Sequence, residues 1–341
     1  MPRLFLHIGT HKTGTTSLQR FLTDNRAVLR RQGLLYPDPA PGGFGQRYAH
    51  HQVAHAMAGQ AGAGTPEDAR RFFDRVRRSL RGRDTAIVSA EALYRHVLPN
   101  ADSDRRFDAG GGATGDPLAY IQRVRECLGD FDVTVLVMLR RQDAFLESLY
   151  AEQVMTSSYR KDIDRFTTER AWLADYDARL TMWASVFGAD RLSVRTFEPA
   201  SFPGGLERSF VEWVGGHWDD RLVPATVHNA TVPRALVEYK RVLNGRQTRK
   251  VSSTYRTWLE DLAADSPEGA LPDLGRYYLT YEARLALVDQ FRESNRAVAE
   301  RYLGRAELFT DPETVAPYPP PPPLSNGHFR RITRRLLRSL V

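Results

Sequence analysis

The sequence predicts an α/β fold, a doubly wound sheet of mostly parallel strands with helices on both faces. Three observations support this prediction. Short apolar runs alternate along the chain with longer amphipathic segments, the pattern of strand–helix units. The strongest run, residues 133–139, is apolar on both faces, as in the centre of a parallel sheet. A glycine-containing turn directly follows the first run, and ligands in such folds bind beyond the carboxyl ends of the strands.

The individual elements follow from hydrophobic periodicity and from glycine and proline. Predicted strands are residues 3–8, 85–89, 133–139 and 192–197. Predicted helices are residues 15–32, 47–57, 66–80, 118–128, 145–155, 202–214 and 283–302. Gly33 ends the first helix, because a helix C-terminus favours glycine. Residues 100–116 and 219–231 are the candidate substrate-contacting loops, since specificity resides mainly in surface loops.

The composition is that of a soluble globular protein. The 341 residues are 42% hydrophobic and 26% charged. No apolar run approaches the ~20 residues of a transmembrane helix, and the first apolar run is too short for a signal peptide. The lone Cys127 excludes an internal disulfide and a cysteine metal cluster within this sequence. The expected location is therefore the reducing cytoplasm.

The positive charge is concentrated at one end of the chain. Of the net charge of +7, five charges belong to arginines in residues 328–341, which leaves +2 for the other 327 residues. A nucleic-acid partner is therefore not expected. The predicted domains are a main domain at residues 1–316, a proline-rich linker at 317–327 and a basic amphipathic tail at 328–341.

The tail has four alternative interpretations. Its apolar residues recur at helical spacing, and a basic amphipathic helix can lie on the inner membrane surface. It can also dock on a partner or on its own domain, or stay a frayed terminus. The apolar stripe consists of Phe329, Ile332, Leu336 and Leu340.

The most informative segment is the loop after the first strand, residues 9–17, here called the first loop. Glycines and hydroxyl residues at a helix start present backbone N–H groups, and the helix dipole adds positive potential. Lys12 adds an ammonium group. The loop therefore predicts a phosphate-like anion as ligand. It is not a Walker A loop, because Lys12 precedes Gly14 by two residues instead of following it.

The run Lys-Thr-Gly-Thr-Thr after a first strand resembles the 5′-phosphosulfate loop of sulfotransferases that use 3′-phosphoadenylyl sulfate (PAPS). A second segment agrees with this resemblance. Arg140 follows the central predicted strand and Ser148 lies eight residues later, which is similar to the family's 3′-phosphate site. Arg141 is an alternative ligand at this position. An arginine fork and a hydroxyl donor also form a physically reasonable phosphate clamp.

The resemblance implies a sulfotransferase architecture of the bacterial carbohydrate type. It implies PAPS as co-substrate without a metal, and a hydroxyl acceptor that is a saccharide. Residues implied to bind the co-substrate are His11, Lys12, Thr13, Gly14, Thr15, Thr16, Ser17, Arg140 and Ser148. Lys12 is also the implied catalytic cation, because charge builds on the leaving oxygen and on the sulfonyl oxygens.

The acceptor hydroxyl needs a general base, and relatives use a histidine or a glutamate. His51 is our first candidate, on a predicted helix; His50 is the second. Glu91, just past a predicted strand, is the third. His51 and His55 share a helix face at zinc-ligand spacing, but the sequence offers no third ligand.

Two other functions stay open at this level. A kinase-like phosphotransferase would hold magnesium with an acid, often at a strand end. The end of the central predicted strand instead carries Arg140 and Arg141, which favour an anion. A module that binds a nucleotide without turnover is the second alternative.

Overall fold

The structure is a computed structural model. It describes residues 1–39, 48–82, 84–96, 116–225, 232–245, 249–310 and 317–339. The five strands of its sheet are β1 (Arg3–Gly9), β2 (Leu34–Leu35), β3 (Thr85–Ser89), β4 (Asp132–Leu139) and β5 (Leu192–Thr196). Their order is β2-β3-β1-β4-β5, and every neighbouring pair is parallel. The predicted doubly wound α/β fold is confirmed.

The helices alternate with these strands and continue beyond them. In chain order they are α1 (Thr15–Asp24), α2 (Arg26–Arg31), α3 (His51–Met57), α4 (Pro66–Ser79), α5 (Ala92–Arg95), α6 (Pro117–Leu128), α7 (Gln142–Thr156), α8 (Ile163–Arg170), α9 (Tyr176–Phe187), α10 (Leu206–Trp213), α11 (Arg234–Asn244), α12 (Arg249–Asp265), α13 (Tyr281–Gln290), α14 (Arg292–Val298) and α15 (Asn326–Ser339).

The chain divides into two compact units. Unit 1 comprises Met1–Arg140, Asp175–Thr226 and Arg292–Asp311, and it holds the whole sheet. Unit 2 comprises Arg141–Ala174, Val227–Phe291 and Pro312–Val341. The sequence-based domain boundaries after residues 316 and 327 stay predictions.

Unit 1 is a three-layer core with β1 at its centre. Apolar residues alternate along β1, so that Leu4, Leu6 and Ile8 face one layer and Phe5 faces the other. The first layer is built by α3, α4, α6, α9 and α14, and the second by α1, α2 and α10. Because both faces are covered, β4 is buried throughout its apolar length, with Val135, Leu136 and Val137 fully buried.

Two predicted helices are interrupted. Asn25 separates α1 from α2: its side-chain amide donates to Phe21 O at 2.8 Å and to Val223 O at 2.9 Å, and its Oδ1 accepts from Val223 N. A side chain that binds backbone groups competes with helix propagation. The predicted helix 283–302 breaks between Gln290 and Arg292, next to the boundary between the two units.

Unit 2 is helical and is organised around α7. This helix contacts α8, α11, α12 and α13. An ionic cluster lies within it: Arg284 donates to Asp143 at 2.5 Å and to Glu147 at 3.0 Å. Glu147 also accepts hydrogen bonds from the backbone N–H groups of Tyr278 and Leu279. All three charged side chains are buried, and removing one of them would leave a buried charge without its partner, which destabilises the fold.

The predicted tail forms α15, whose apolar stripe packs against other helices of unit 2. Ile332 and Leu336 are buried, and the Phe329 ring lies 4.5 Å from the Tyr239 ring. Thr333 hydrogen-bonds Tyr239 at 3.0 Å. Leu340 lies outside the described residues. The stripe is thus used within the chain. Membrane contact of residues 328–341 stays a prediction. With the apolar stripe packed inward, the exposed arginines of α15 would provide the attraction to a membrane surface.

Candidate functional site

The first loop begins where β1 ends, next to the end of β4. Thr10 donates from its backbone N–H and from its hydroxyl to Met138 O, at 2.8 and 3.1 Å. Thr13 donates its hydroxyl to Thr10 O at 2.8 Å. Lys12 has a φ of 67°, the only positive value among the described non-glycine residues. Such left-handed backbone at a lysine is uncommon and marks functional loops.

Two glycines of the loop allow close packing around it. Gly14 has a φ of 71°, and a Cβ there would lie 2.5 Å from a methyl group of Leu206. It precedes α1 without a side-chain cap, and the uncapped first-turn amides of a helix can bind an anion. Thr15 is buried at the helix start, while Thr16 and Ser17 are half-buried. Gly9 has a φ of 102°, and a Cβ there would lie 3.2 Å from Glu91 Cβ.

Arg140 joins the first loop from the neighbouring strand β4. Its guanidinium donates to Lys12 O at 2.9 Å and lies 6.0 Å from the Phe197 ring centroid. The Tyr176 hydroxyl donates to the Arg140 carbonyl at 2.5 Å. The loop and the arginine that the sequence singles out therefore lie side by side, because β1 and β4 are parallel neighbours.

The alternative ligand Arg141 has a different environment. It makes two hydrogen bonds to Asp143, from Nε at 2.9 Å and from Nη2 at 2.8 Å. Burial alone would raise the pKa of Asp143, but the bonds from Arg141 and the charge of Arg284 outweigh it and lower that pKa. The paired arrangement makes Arg140 the better candidate for an added anion.

The first and third candidate bases form a pair. His51 Nε2 lies 3.1 Å from Glu91 Oε2, and Gln19 Nε2 donates to the same oxygen at 3.2 Å. Glu91 is 4% exposed, whereas the His51 side chain is 22% exposed. The His51 Nδ1 atom is buried without a hydrogen-bond partner in the described part of the chain. A carboxylate held in place by an imidazole and an amide can accept a proton from a hydroxyl group.

The second candidate, His50, is engaged by the backbone on both ring nitrogens. Its Nδ1 accepts from Ser89 N at 3.2 Å, so its Nε2 carries the hydrogen and donates to Pro37 O at 3.1 Å. Complete burial lowers the pKa of His50 to about 3. These contacts suit a neutral residue that anchors the start of α3 to β3, and a base role for His50 stays a prediction.

Lowered pKa values favour the neutral form of three more histidines in unit 1, of which His7 and His96 are buried and His55 is half-buried. Burial lowers the pKa of His7 to about 4, and its Nδ1 hydrogen-bonds Ser89 Oγ at 2.8 Å. Burial and the nearby Arg95 lower the pKa of His55 to about 4. His55 Nδ1 lies 2.8 Å from His96 Nε2, and burial lowers the pKa of His96 well below its usual value.

We expect unit 1 to lose stability as the pH falls from about 6.5 towards about 4. In this range the histidines take up protons in the unfolded chain but not in the folded one. The free energy of unfolding therefore falls by roughly 1 kcal/mol per pH unit for each of these histidines. Urea denaturation at a series of pH values measures this slope. His50→Gln should flatten it, whereas the exposed His217→Gln should leave it unchanged. A stability independent of pH over this range would contradict the prediction.

Several predicted site residues stay untested by this geometry. Ser148 is half-buried on α7 in unit 2, and its role at a 3′-phosphate remains a prediction. His11 is half-buried within the first loop. Residues 97–115 and 226–231, which include most of the candidate acceptor loops, lie outside the described residues.

Three residues of the site were not anticipated from the sequence. Gln19 is buried on the apolar face of α1. A polar residue on an apolar helix face was the sequence feature that could have indicated its role. Tyr176 and Phe197 contact Arg140 from distant positions, and no sequence pattern marks them.

The described residues contain no cluster of three potential metal-ligating His, Cys, Asp or Glu side chains. None of the described helices has the length and apolar character that a membrane span requires.

No protein-family model matches the chain. An uncharacterized protein of Archaeoglobus fulgidus is 24% identical to it over 176 residues, which are 51% of this chain and 47% of that protein. The chain thus matches about half the length of this curated relative. The crystal structure of a sulfotransferase from Alicyclobacillus acidocaldarius aligns with 78% of this chain and 97% of its own, at 18% identity and a TM-score of 0.34. A TM-score this low carries no argument about function.

Proposed function

We propose that the protein transfers a sulfuryl group from PAPS to a hydroxyl group of a saccharide. The observation that carries this proposal is the contact between Arg140 and the first loop. A positive-φ lysine, an uncapped helix start and an arginine fork come together at the carboxyl ends of two neighbouring strands. These groups suit an anion with several phosphate or sulfate oxygens.

In this proposal the first loop binds the 5′-phosphosulfate. The amides of Thr15, Thr16 and Ser17 and the ammonium of Lys12 face the leaving group. As the acceptor oxygen bonds to sulfur, the bond from sulfur to the bridging phosphate oxygen breaks. The electron pair leaves with adenosine 3′,5′-bisphosphate, and the positive groups stabilise that charge. Arg140 binds the 3′-phosphate.

The proton of the acceptor hydroxyl goes to Glu91. Three contacts support this choice. Glu91 lies against Gly9 at the base of the first loop, it accepts a hydrogen bond from Gln19, and His51 pairs with it at 3.1 Å. His51 holds the carboxylate in place and faces solvent in part. The saccharide class of the acceptor rests on the resemblance of the first loop and of the Arg140 segment.

We expect adenosine 3′,5′-bisphosphate to bind without magnesium, and Arg140→Ala to weaken this binding by about 10-fold to 100-fold. The loss follows from removing charge-assisted hydrogen bonds to a phosphate. Calorimetric titration of the full chain measures it, with Lys12→Ala as a second variant that tests the first loop.

The matched control is Arg31→Ala, which removes an exposed arginine of unit 1 away from the site. A parallel titration uses ATP with magnesium. Magnesium-dependent ATP binding together with no bisphosphate binding would favour the kinase-like alternative. Bisphosphate binding without transfer to any offered acceptor would favour a binding module.

A further inference from the structure

A second basic site lies in unit 1 beside the edge strand β2. A cavity of about 640 Å³ opens there between α2, the end of α4 and the segment that follows β2. Four arginines line it, Arg26, Arg30, Arg78 and Arg81, while Asp38 is the acid of the lining. Cavities of this size accept a ligand much larger than a single inorganic ion.

Two of the four arginines are held in place by the fold. Arg26 donates to Tyr36 O at 3.1 Å and to Pro37 O at 3.3 Å, and its guanidinium lies 5.5 Å from the Tyr36 ring centroid. Arg30 donates to Ser79 O at 2.5 Å and pairs with Asp84 at 3.1 Å. These contacts fix the two guanidinium groups before any ligand arrives, which lowers the entropy cost of binding.

The other two arginines lack such partners. Arg78 and Arg81 are exposed, and among the described residues neither side chain has a hydrogen bond or an ion pair. By contrast, the surface arginines of the same helix α4, such as Arg71 and Arg77, pair with neighbouring acids. The cavity therefore combines two fixed cations with two that are able to close on a ligand. Asp84, which pairs with Arg30, and Asp38 offset part of the charge of the four arginines, and an anionic ligand would compensate the remainder.

We propose that this cavity binds an oligoanion with two or more sulfate or phosphate esters, of the size of a disaccharide. Guanidinium groups match the geometry of sulfate and phosphate oxygens. Four guanidinium groups are more than a single sulfate or phosphate ester requires, which favours a ligand with several such esters. Leu35 and Ala27 add apolar lining for the body of the ligand. The site lies beside β2 at the sheet edge, whereas the first loop follows the central strand β1, and the inference does not depend on sulfuryl transfer.

The test is calorimetric titration of the full chain with sucrose octasulfate, with inositol hexakisphosphate and with inorganic sulfate. The first two probes distinguish sulfate from phosphate esters, and the third tests the need for several groups. We expect both oligoanions to bind at low salt, more tightly than sulfate, and their affinity to fall as salt screens the charges. Saturating adenosine 3′,5′-bisphosphate is included to keep the first loop occupied.

Arg78→Gln/Arg81→Gln should weaken oligoanion binding by about tenfold or more. The matched control, Arg330→Gln/Arg334→Gln, removes two exposed arginines of α15 and should change the affinity by less than about twofold. Both pairs are at the surface, and unchanged thermal unfolding verifies their fold. The proposal would be overturned if both variants lost affinity equally, if only the control lost affinity, or if the unaltered chain did not bind either oligoanion. Each outcome can be read even if the bisphosphate fails to bind.

Discussion

Replacing Glu91 by glutamine is expected to lower the rate of sulfuryl transfer by about 100-fold to 10,000-fold, the usual contribution of a general base. Glutamine keeps the size of the side chain and can still contact His51 and Gln19. It cannot take the proton of the acceptor hydroxyl. Incorporation of radiolabelled sulfate from PAPS into a saccharide acceptor measures the rate, and titration of the bisphosphate shows whether binding is retained.

Glu126→Gln is the control, because Glu126 is an exposed glutamate of unit 1 that pairs with Arg70 at 3.7 Å. Its rate should match that of the unaltered protein. His51→Gln should lower the rate less than Glu91→Gln and shift its pH profile, since His51 positions the carboxylate in the proposal. If Glu91→Gln keeps its full rate while His51→Gln is inactive, His51 is the base instead.

Replacing Arg284 by alanine is expected to destabilise the protein by about 3–5 kcal/mol, the cost of leaving buried carboxylates without their cation. Asp143 keeps Arg141, whereas Glu147, within the described part of the chain, keeps the backbone donors of Tyr278 and Leu279. Burial already raises the pKa of Glu147 despite Arg284, and removing Arg284 should raise this pKa further. The native state then binds a proton more strongly than the unfolded chain, so the deficit should shrink as the pH falls.

Urea denaturation at about pH 8 and about pH 5 measures both effects. Arg296→Ala is the control, since its ion pair with Glu293 is exposed and contributes little. The double change Arg284→Met/Glu147→Gln should recover part of the loss, because glutamine still accepts the two backbone hydrogen bonds. A loss below about 1 kcal/mol for Arg284→Ala would show that the cluster does not stabilise unit 2.

The sequence predicted the parallel sheet and the arrangement at the strand ends. The runs at residues 85–89 and 133–139 correspond to β3 and β4, and Glu91 and Arg140 directly follow them. Because parallel strands end at one edge, residues that follow neighbouring strands were expected to meet. The contact of Arg140 with Lys12 and the approach of Glu91 to Gly9 agree with that expectation.

Other features depend on residues far apart in the chain. The break at Asn25 involves Val223, and no local pattern indicates a partner almost two hundred positions away. The basic cavity beside β2 joins α2 to the end of α4, which the sequence shows only as separate arginines. Hydrophobic periodicity marks faces of helices, but it does not say which polar side chains meet between them.

By itself, the sequence determined the α/β class and the order of the strand–helix units, and it predicted an anion as the ligand of the first loop. These follow from local periodicity and from backbone groups that glycine and hydroxyl residues expose. Only the tertiary structure decided that His51 pairs with Glu91, that His50 is held by the backbone, and that α15 packs on its own chain. The physical reason is that hydrogen bonding and burial depend on the position of each side chain in three dimensions, which spacing along the chain does not specify.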